Sequence, residues 1–270
     1  MKAKQIQILT LMTLMFLIIM QARAVDGVIE INHTCATQMG CFSGDSGGYP
    51  VSIDGSIGNS YKLTSDLIIP DSNTSGININ SANIHLDLNG FSIIGINCLV
   101  VTDVSFHCRP PTGNGFGVFV TAAFYYGITI KNGSVIGMGN KGIFVTGYNS
   151  TVKNIHARWN RREGIEAIQH ALLTGNTVFE NGNNGIECSS DCLIRGNVSN
   201  KNLGDGINAS IGSMITGNIL SDNSGYGLNF SFAATSGSYR ENVFRSNSQG
   251  TVNFGLDLGN NSCNTTTVCP

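Results

Sequence analysis

The stretch Gly185-Ile186-Glu187-Cys188 returns in altered form as Gly206-Ile207-Asn208-Ala209 and again as Gly227-Leu228-Asn229-Phe230. The same pairing of a glycine with an aliphatic residue occurs upstream at Gly164 and Gly142, and only the interval from Gly142 to Gly164 is one position longer. A fixed period of this length is typical of solenoid proteins, in which every repeat forms one coil. We therefore predict an all-β, single-domain stack of coils, each about 21–22 residues long.

Asparagine follows the same period at two places in each coil. An asparagine tolerates left-handed backbone conformations, and its amide can bond to the amide in the next coil. These properties suit tight corners, so we assign a structural role to both columns. The first column contains Asn154, Asn176, Asn197, Asn218 and Asn242. The second contains Asn160, Asn181, Asn202, Asn223 and Asn247.

The strand that opens each coil should direct alternate side chains into the core and into solvent. The predicted core positions hold Ile143, Ile165, Ile186, Ile207 and Leu228. The outward positions beside them form a column that rises by about 4.8 Å per coil. This outward column contains Phe144, Glu166, Glu187, Asn208 and Asn229. We predict that it is the functional surface.

Residues 1–24 have the pattern of a signal peptide. Lys2 and Lys4 precede an apolar run from Ile8 to Met20, and Ala22-Arg23-Ala24 follows. The run is shorter than the roughly 20 apolar residues that a membrane span needs. We therefore predict cleavage after Ala24, a secreted or periplasmic location, and no membrane span in the mature chain.

All eight cysteines follow this segment and fall into close pairs. Local disulfides are the simplest interpretation for an exported chain, although the sequence alone does not exclude other connectivities. The predicted pairs are Cys35 with Cys41, Cys98 with Cys108, Cys188 with Cys192, and Cys263 with Cys269.

The repeat also divides the mature chain into segments. We predict an N-terminal cap and the first strands over residues 25–75, the coil repeats over 76–254, and a C-terminal cap over 255–270. The caps would cover the strand edges at both ends of the stack. Residues 96–114 interrupt the pattern, so we expect them to project as a loop braced by a disulfide.

The sequence argues against nucleic-acid binding, binding to anionic membranes and serine protease activity. The formal net charge of −2 gives no basic surface of the kind that binds nucleic acid or anionic membranes. The string Gly44-Asp45-Ser46-Gly47-Gly48 matches the sequence around the nucleophile of chymotrypsin-like serine proteases. In those proteases the histidine and aspartate lie far upstream of the serine, whereas the mature chain before Ser46 is short and His33 is its only histidine. We therefore predict a turn there and no protease site.

The glycine-isoleucine openings and the Gly-Asn pairs resemble the right-handed parallel β-helix repeat proteins of the pectin-lyase-like superfamily. The pairs are Gly175-Asn176, Gly196-Asn197 and Gly217-Asn218, and Leu86-Asp87-Leu88-Asn89-Gly90 adds an earlier coil. The resemblance covers about residues 60–255 and implies a right-handed parallel β-helix. The superfamily includes pectate lyases, polygalacturonases, alginate lyases and epimerases, carbohydrate-binding proteins and phage tailspikes, so the fold alone does not define the reaction.

No catalytic residue carries over from that superfamily. The Asn-Thr-Asp, Asp-Asp, Gly-His-Gly and Arg-Ile-Lys motifs of polygalacturonases are missing from the repeats, as is the Tyr-Gly-Phe-Asp-Pro-His motif of alginate epimerases. The aspartate cluster of calcium-dependent pectate lyases is missing too. Candidate chemistry must therefore come from the residues of this chain alone.

Four carboxylates surround the glycine column: Glu163, Glu166, Glu187 and Asp205. Glu166 and Glu187 share the outward column, so their carboxyl groups should lie about 5 Å apart, near the separation in retaining glycosidases. The four carboxylates could instead hold a calcium ion, the one cofactor that the sequence suggests. A solvated strand face with neighbouring glutamates is the simpler alternative.

A second candidate lies one coil earlier, at His156 and Arg158. In a lyase that acts on a uronic acid polymer, they could remove the C5 proton and neutralise the carboxylate. Charge pairing between coils would explain these basic residues equally well. Phe144 and Tyr148 are placed to stack against a sugar ring. His170 shares the coil position that we assign to Tyr148 and is interpreted as a turn residue.

The sequence thus predicts a secreted protein that binds an extended polysaccharide, with cleavage by a lyase or glycoside hydrolase, or epimerisation, as a further hypothesis. The candidate catalytic residues are Glu166, Glu187, His156 and Arg158, and the candidate substrate-binding residues are Phe144, Tyr148, Glu163, Asp205, Asn208 and Asn229. The alternative is a non-catalytic surface or adhesion protein in which the loop 96–114 contacts another protein.

Overall fold

A computed structural model describes residues 27–98, 108–231, 237–264 and 269 of the 270-residue chain. The strands pair in parallel and form two sheets, one of nine strands and one of 17. Each regular coil contributes one strand to the smaller sheet and two to the larger one, so a coil has three sides. This arrangement confirms the predicted all-β solenoid. The predicted signal peptide, residues 1–24, lies outside the described residues.

The strands are short and follow one another at regular intervals. They are β1 (Ile29–Ile31), β2 (Val51–Ile53), β3 (Ser60–Leu63), β4 (Leu67–Ile69), β5 (Ile77–Ile79), β6 (His85–Asp87), β7 (Ser92–Gly95), β8 (Val118–Val120), β9 (Thr129–Ile136), β10 (Ile143–Tyr148), β11 (Thr151–Arg158), β12 (Ile165–Gln169), β13 (Leu172–Thr174), β14 (Thr177–Phe179), β15 (Ile186–Ser190), β16 (Leu193–Arg195), β17 (Val198–Asn200), β18 (Ile207–Ala209), β19 (Met214–Thr216), β20 (Ile219–Ser221), β21 (Tyr226–Phe230), β22 (Ser238–Arg240), β23 (Val243–Arg245), β24 (Gly250–Asn253), β25 (Leu256–Asp257) and β26 (Ser262–Cys263). The described residues also form a short helix, α1 (His33–Thr37), and a 3₁₀ turn over Ile96–Cys98.

The three sides of the solenoid are three ladders of strands. Face 1 is the nine-stranded sheet, with β2, β5, β8, β10, β12, β15, β18, β21 and β24 in order. Face 2 contains β1, β3, β6, β13, β16, β19, β22 and β25, and face 3 contains β4, β7, β14, β17, β20, β23 and β26. The long strands β9 and β11 bend across faces 2 and 3 and join them into one sheet. Every coil therefore repeats the same path, and equivalent residues stack between coils.

Face 1 has the register that the glycine spacing predicts. Phe144 pairs with Glu166, Glu166 with Glu187, Glu187 with Asn208, and Asn208 with Asn229. The predicted core residues beside this column are fully buried: Ile143, Ile165, Ile186, Ile207 and Leu228. Burying a side chain of this size contributes about 1.5–3 kcal/mol, so the inward column is a main source of stability.

The glycine column is required by the distance between coils. A Cβ atom at Gly206 would lie 2.6 Å from the carbonyl oxygen of Gly227 and 2.7 Å from the amide nitrogen of Asn223. Gly142, Gly164 and Gly185 face the same two kinds of neighbour in their own coils. A side chain at these positions would push neighbouring coils apart.

Two buried asparagine ladders run through the stack, as predicted. In one, Asn181 donates to the side-chain oxygen of Asn202 at 3.0 Å, and Asn202 donates to that of Asn223 at 3.0 Å. The other ladder continues through Asn176, Asn197, Asn218, Asn242 and Asn261. Since each amide bonds to the next coil, the ladders satisfy buried polar groups along the core.

The assignment of Asn154 to the first ladder is wrong. Asn176 accepts a hydrogen bond from the backbone N–H of Ile155, so Ile155 takes the ladder position in that coil. Asn154 instead has a φ of 54° and an exposed side chain, and it matches Gly175, which has a φ of 66°. The left-handed conformation falls on the residue before each ladder position, and the ladder asparagines themselves recur because of their hydrogen bonds.

A bulge in β10 also shifts one predicted position. The register changes between Val145 and Tyr148, so Tyr148 pairs with Gln169 and not with His170. Gly147 lies within this bulge, where a Cβ atom would be 2.0 Å from the carbonyl oxygen of Tyr125. This extra position explains why the interval from Gly142 to Gly164 is longer than the others. His170 has a φ of 52°, as expected of a turn residue.

The four predicted disulfides are all present: Cys35–Cys41, Cys98–Cys108, Cys188–Cys192 and Cys263–Cys269. Near the first of them, the protease-like string forms a turn between α1 and β2. There the carboxylate of Asp45 accepts hydrogen bonds from the backbone N–H groups of Cys41 and Ser52, at 2.8 and 3.0 Å. Asp45 therefore holds the turn together, as predicted for a structural segment.

The interrupting loop packs against the stack at its base. Arg161, in the turn after β11, donates hydrogen bonds to the carbonyl oxygens of Pro111 and Gly113, at 3.1 and 3.4 Å. Residues 99–107, at the middle of the predicted loop 96–114, lie outside the described residues.

The predicted caps contribute strands as well. At one end β1 pairs with β3, and at the other β25 and β26 pair with β22 and β23. The domain boundaries at residues 75 and 255 stay predictions. Within the described ranges, no helix is long and apolar enough to cross a membrane.

Candidate functional site

Two columns of side chains flank the glycines of face 1. The upstream column consists of the residues that directly precede each glycine: Phe116, Lys141, Glu163, Asn184, Asp205 and Tyr226. The downstream column consists of the outward residues of the strands: Phe119, Phe144, Glu166, Glu187, Asn208 and Asn229. The two columns form a strip that changes from aromatic to acidic to amide side chains along the stack.

The acidic part of the strip is a compact cluster of three glutamates. One carboxylate oxygen of each of Glu163, Glu166 and Glu187 lies within 4.8 Å of those of the other two. Glu163 and Glu166 are only 2% and 7% exposed, and Glu187 is half-buried. Glu163 and Glu166 therefore do not lie on a solvated strand face, whereas Glu187 remains partly solvated.

Asp205 has a different role from these glutamates. Its two carboxylate oxygens accept hydrogen bonds from the backbone N–H of Tyr226, at 2.7 Å, and from the side-chain amide of Asn229, at 2.8 Å. It belongs to the amide part of the strip, where Asn253 also donates to Asn229 at 2.9 Å. Asp205 thus connects successive coils.

Lys141 supplies the positive charge that the cluster needs. Its ammonium group forms a close ion pair with Glu166 and lies 3.7 Å from a carboxylate oxygen of Glu163. Lys141 can reach both because it directly precedes Gly142, as Glu163 precedes Gly164 in the next coil. Carboxylates are buried in proteins when they are paired in this way.

Amide and guanidinium groups complete the surroundings of the cluster. Asn183 donates to Glu163 at 2.5 Å, and Asn184 donates to Glu187 at 2.9 Å. The Nε atom of Arg162 lies 3.9 Å from a carboxylate oxygen of Glu163. Each glutamate therefore has a polar partner that fixes its orientation.

The environment raises two carboxyl pKa values. Burial raises the pKa of Glu166, against the opposing effect of the Lys141 ammonium, and the neighbouring glutamates raise it further. Burial also raises the pKa of Glu187, which Glu163 reinforces and the amide of Asn184 opposes. Both carboxyl groups therefore take up a proton more readily than a solvent-exposed glutamate does.

The cluster does not fit a calcium ion well. Calcium takes six to eight oxygen ligands in an open, oxygen-lined site. Here the ammonium of Lys141 already occupies the position of a counter-ion between Glu163 and Glu166. Asp205, the fourth predicted ligand, uses its oxygens to bond the next coil.

The aromatic part of the strip begins one coil before the glutamates. The rings of Phe119 and Phe144 stack with centroids 5.6 Å apart and an angle of 7° between their planes, and Phe116 stacks on Phe119 at 4.6 Å. The Lys141 ammonium lies 4.0 Å from the ring centroid of Phe144. The three rings therefore form one continuous, half-buried apolar surface beside the charged groups.

Tyr148 lies on the same face but further along its strand. Its ring stacks on that of Tyr126 with centroids 5.9 Å apart. The bulge at Gly147 determines this position. Tyr148 thus extends the aromatic surface away from the glycine column.

The structure does not bring all the candidate catalytic residues together. His156 and Arg158 are exposed residues of β11 on face 3, where they pair with Thr177 and Phe179. Glu166 and Glu187 lie on face 1. The guanidinium of Arg158 is 4.6 Å from the ring of Trp159. The proton-abstracting pair proposed for a lyase is therefore separate from the glutamate cluster.

Sequence reasoning missed the residues that surround the glutamates. Lys141, Asn183 and Asn184 were not recognised, nor were Phe116 and Phe119. A usable pattern was present, because the residue before each glycine of the repeat belongs to the site. Glu163 and Asp205 were noticed at this position only because they are acidic.

Comparisons with known proteins agree with the fold. A family model described as "Right handed beta helix region" matches residues 113–248, and no curated protein matches the chain. Among solved structures, the enzymatically active domain of tailspike protein 2 from bacteriophage CBA120 is similar with a TM-score of 0.51 and 12% identity. That match covers 73% of this chain and 36% of the tailspike chain.

Two epimerase structures show weaker likeness. A periplasmic alginate epimerase has a TM-score of 0.42 and 14% identity, over 86% of this chain and 58% of its own. The A-module of a mannuronan C-5 epimerase from Azotobacter vinelandii has a TM-score of 0.39 and 13% identity, over 90% and 89% of the two chains. This chain spans about a third of the tailspike chain and somewhat over half of the periplasmic epimerase. At 12% identity, the likeness to the tailspike domain shows the fold alone.

Proposed function

Because the chain belongs to the right-handed β-helix family, whose coils stack equivalent side chains into continuous strips, we propose that it is an exported protein that binds an extended polysaccharide along face 1. The observation that carries this proposal is the strip beside the glycine column. Its aromatic, acidic and amide parts follow one another over consecutive coils. A polymer lying along the stack would therefore contact aromatic, acidic and amide side chains in turn.

Each part of the strip suits one aspect of sugar recognition. The stacked rings of Phe116, Phe119 and Phe144 offer an apolar surface for a sugar ring. The amides of Asn208 and Asn229 make hydrogen bonds within the stack, and their remaining N–H groups suit sugar hydroxyl groups. Four disulfides support export, because such bonds persist in the periplasm or outside the cell.

We further propose that the glutamate cluster cleaves a glycosidic bond. The carboxylate oxygens of Glu166 and Glu187 approach within 4.8 Å, close to the roughly 5–5.5 Å that separates the carboxyl groups of retaining glycosidases. Glu187 is the more exposed of the two, and Asn184 orients its carboxyl group. Glu187 would therefore protonate the leaving oxygen, since its raised pKa favours the protonated form that a general acid needs.

Glu166 would then act as the nucleophile. The ammonium of Lys141 favours the ionised form of Glu166 against the effect of burial, and in that form the carboxylate would bond to the anomeric carbon as the bond to the leaving sugar breaks. Water, deprotonated by Glu187, would release the bound sugar and restore both carboxyl groups. Face 1 supports hydrolysis over the lyase and epimerase hypotheses, because His156 and Arg158 lie on face 3.

The test combines product detection with binding. Residues 25–270 would be incubated with neutral glycans, pectate and alginate, followed by assays for new reducing ends and for unsaturated products, beside a glycan array. We expect binding, and new reducing ends without unsaturated products. Binding without any product would refute cleavage and leave a non-catalytic surface protein, and absence of binding would refute the whole proposal.

The variant Glu187→Gln isolates the proposed acid. We expect this variant to bind the glycan as the wild type does and to hydrolyse it about 100-fold more slowly or slower still, the usual range for removal of a general acid. Glu241→Gln is the matched control, because Glu241 is exposed at the corner between faces 2 and 3. This variant should hydrolyse the glycan at the wild-type rate. Equal rates for wild type and Glu187→Gln would contradict the assigned role.

A further inference from the structure

A cleft of about 500 Å³ lies between the base of the interrupting loop and the turns that follow β11 and β14. Three of its lining residues are arginines: Arg109 from the loop, and Arg161 and Arg162 from the turn after β11. Asn183 and Leu203 also line the cleft. Among the described residues that line this cleft, none is a carboxylate, so its walls carry positive charge.

Two of the three arginine side chains, those of Arg109 and Arg161, are held in place by contacts with the backbone. Arg109 donates to the carbonyl oxygen of Glu180 at 3.5 Å, and its stem packs over Gly182, where a Cβ atom would lie 3.1 Å from its Cδ. Arg161 donates to the carbonyl oxygens of Pro111 and Gly113. Each guanidinium has five N–H donors, and these contacts with described residues use one or two of them. Further donors can therefore serve a ligand.

Three guanidinium groups around one cleft repel one another, and the repulsion is partly offset by Glu163, which lies 3.9 Å from Arg162. An anion in the cleft would relieve the remaining repulsion and accept charge-assisted hydrogen bonds. A carboxylate has two oxygens in one plane and matches a single guanidinium fork. A sulfate or phosphate group has oxygens in several directions, which suits arginines that come from two different segments.

We propose that this cleft binds a tetrahedral oxyanion, a sulfate or phosphate group, between Arg109, Arg161 and Arg162. The proposal concerns a site separate from the glutamate cluster and does not depend on glycan cleavage. Asn183 and Arg162 line the cleft and also contact Glu163, so a ligand in the cleft would lie next to the strip on face 1.

The first experiment uses inorganic ions as probes. Isothermal titration of residues 25–270 with sodium sulfate, sodium phosphate or sodium acetate, at constant ionic strength in sodium chloride, measures the affinity for each anion. We expect saturable binding of sulfate and phosphate, and binding of acetate at least 10-fold weaker. Acetate binding as tightly as sulfate, or no saturable binding of sulfate and phosphate, would overturn the proposal.

Variants locate the site. Arg109→Ala and Arg162→Ala should each weaken sulfate binding by about 10-fold or more, whereas Arg109→Lys, which keeps the charge but loses the fork, should weaken it less. Arg195→Ala removes an exposed arginine of face 2 and should bind sulfate as the wild type does. Thermal unfolding confirms that each variant is folded. Undiminished binding by folded Arg109→Ala and Arg162→Ala protein would place the anion elsewhere and refute the proposal.

The source of the oxyanion is resolved with a matched pair of sugars. Dextran oligosaccharides and their sulfated forms would be titrated into wild type and Arg109→Ala. Tighter binding of the sulfated sugar than of inorganic sulfate, lost in Arg109→Ala, would support a sulfate ester as the ligand. Binding of inorganic sulfate alone, again lost in Arg109→Ala, would support a free ion. Binding of the sulfated sugar that is the same in wild type and Arg109→Ala would count against the cleft.

Discussion

At the scale of single residues, Lys141 decides whether the glutamate cluster can exist in the folded protein. The side chains of Lys141, Glu163 and Glu166 are 13%, 3% and 10% exposed, so water can do little to stabilise an unpaired charge there. Removing one partner of such a pair leaves the other charge buried and uncompensated. The cluster is thus held by a cation from the preceding coil.

Lys141→Met should therefore destabilise the protein strongly. Removal of one partner from a buried ion pair costs roughly 3–5 kcal/mol, and we expect a loss in the free energy of unfolding of that order. Lys141→Arg keeps the charge and is the matched control, with an expected loss that is clearly smaller. Urea denaturation of the three proteins measures the difference. Equal stability of wild type and Lys141→Met would show that the ion pairs contribute nothing.

The raised pKa values of Glu166 and Glu187 predict a dependence of stability on pH. A carboxyl group with a higher pKa in the folded chain binds more protons when folded than when unfolded. Its contribution to stability is complete below the unfolded pKa, about 4.3, and is lost as the pH rises through the folded pKa. The free energy of unfolding of wild type, minus that of the Glu166→Gln/Glu187→Gln variant, should fall as the pH rises from about 4.3 towards neutrality.

Urea denaturation at several pH values measures this difference. Subtracting the double variant removes the contribution of titrating groups outside the cluster, since both proteins share them. A difference that stays constant, or that grows with pH, would contradict the assigned direction of both shifts.

At the scale of elements, the spacing between coils depends on the glycine column. A Cβ atom at Gly206 would lie 2.6 Å from the Gly227 carbonyl oxygen, whereas one at Gly196 would have no neighbour within 4 Å. Gly196 has a φ of 63°, so alanine there costs only the strain of a left-handed backbone, about 1–2 kcal/mol. Gly206 does not have a left-handed backbone, and its replacement by alanine instead forces neighbouring coils apart.

We therefore expect Gly206→Ala to lower the free energy of unfolding by more than Gly196→Ala does. Overpacking of a well-packed region typically costs about 1–3 kcal/mol and sometimes more. Thermal and urea unfolding of both variants measure the two losses. A larger loss for Gly196→Ala would show that the coils can separate at little cost and that the column has another origin.

The register of face 1 could be predicted from the sequence, because the glycine, the inward aliphatic residue and the outward residue recur together in each coil. The predicted positions of two residues were wrong, in each case because of the local backbone. Gly147 inserts a bulge that shifts Tyr148, and Asn154 occupies a left-handed position that glycine fills in the next coils. Periodicity alone does not distinguish an asparagine that adopts a left-handed backbone conformation from one whose side-chain amide bonds to the next coil.

The candidate site was predicted less completely than the fold. Glu166 and Glu187 were correctly expected to be neighbours on face 1, since they share one strand register. Their burial was not predicted, because outward strand positions are usually exposed to solvent. The contacts of Lys141 and Arg162 with the glutamates connect different coils, and a strand pattern does not indicate them. The cleft beside the loop could not be predicted, because the path of residues 108–114 does not follow the repeat.

At the scale of the whole molecule, the solenoid turns a one-dimensional repeat into a continuous surface. Face 1 carries the strip of aromatic, acidic and amide groups, while faces 2 and 3 carry the outward residues of the larger sheet. A polymer is the kind of ligand that can use equivalent positions on successive coils. The central claim is therefore that a glycan lies along face 1.

Matched substitutions on two faces test this claim most directly. Phe144 on face 1 and Phe179 on face 3 are both half-buried, outward-facing phenylalanines. The measurement is the affinity of wild type, Phe144→Ala and Phe179→Ala for the glycan that binds best on an array. We predict that Phe144→Ala weakens binding by about 10-fold or more, as expected for loss of an aromatic anchor, and that Phe179→Ala binds like wild type. Unchanged binding by Phe144→Ala, or an equal loss in Phe179→Ala, would contradict the account.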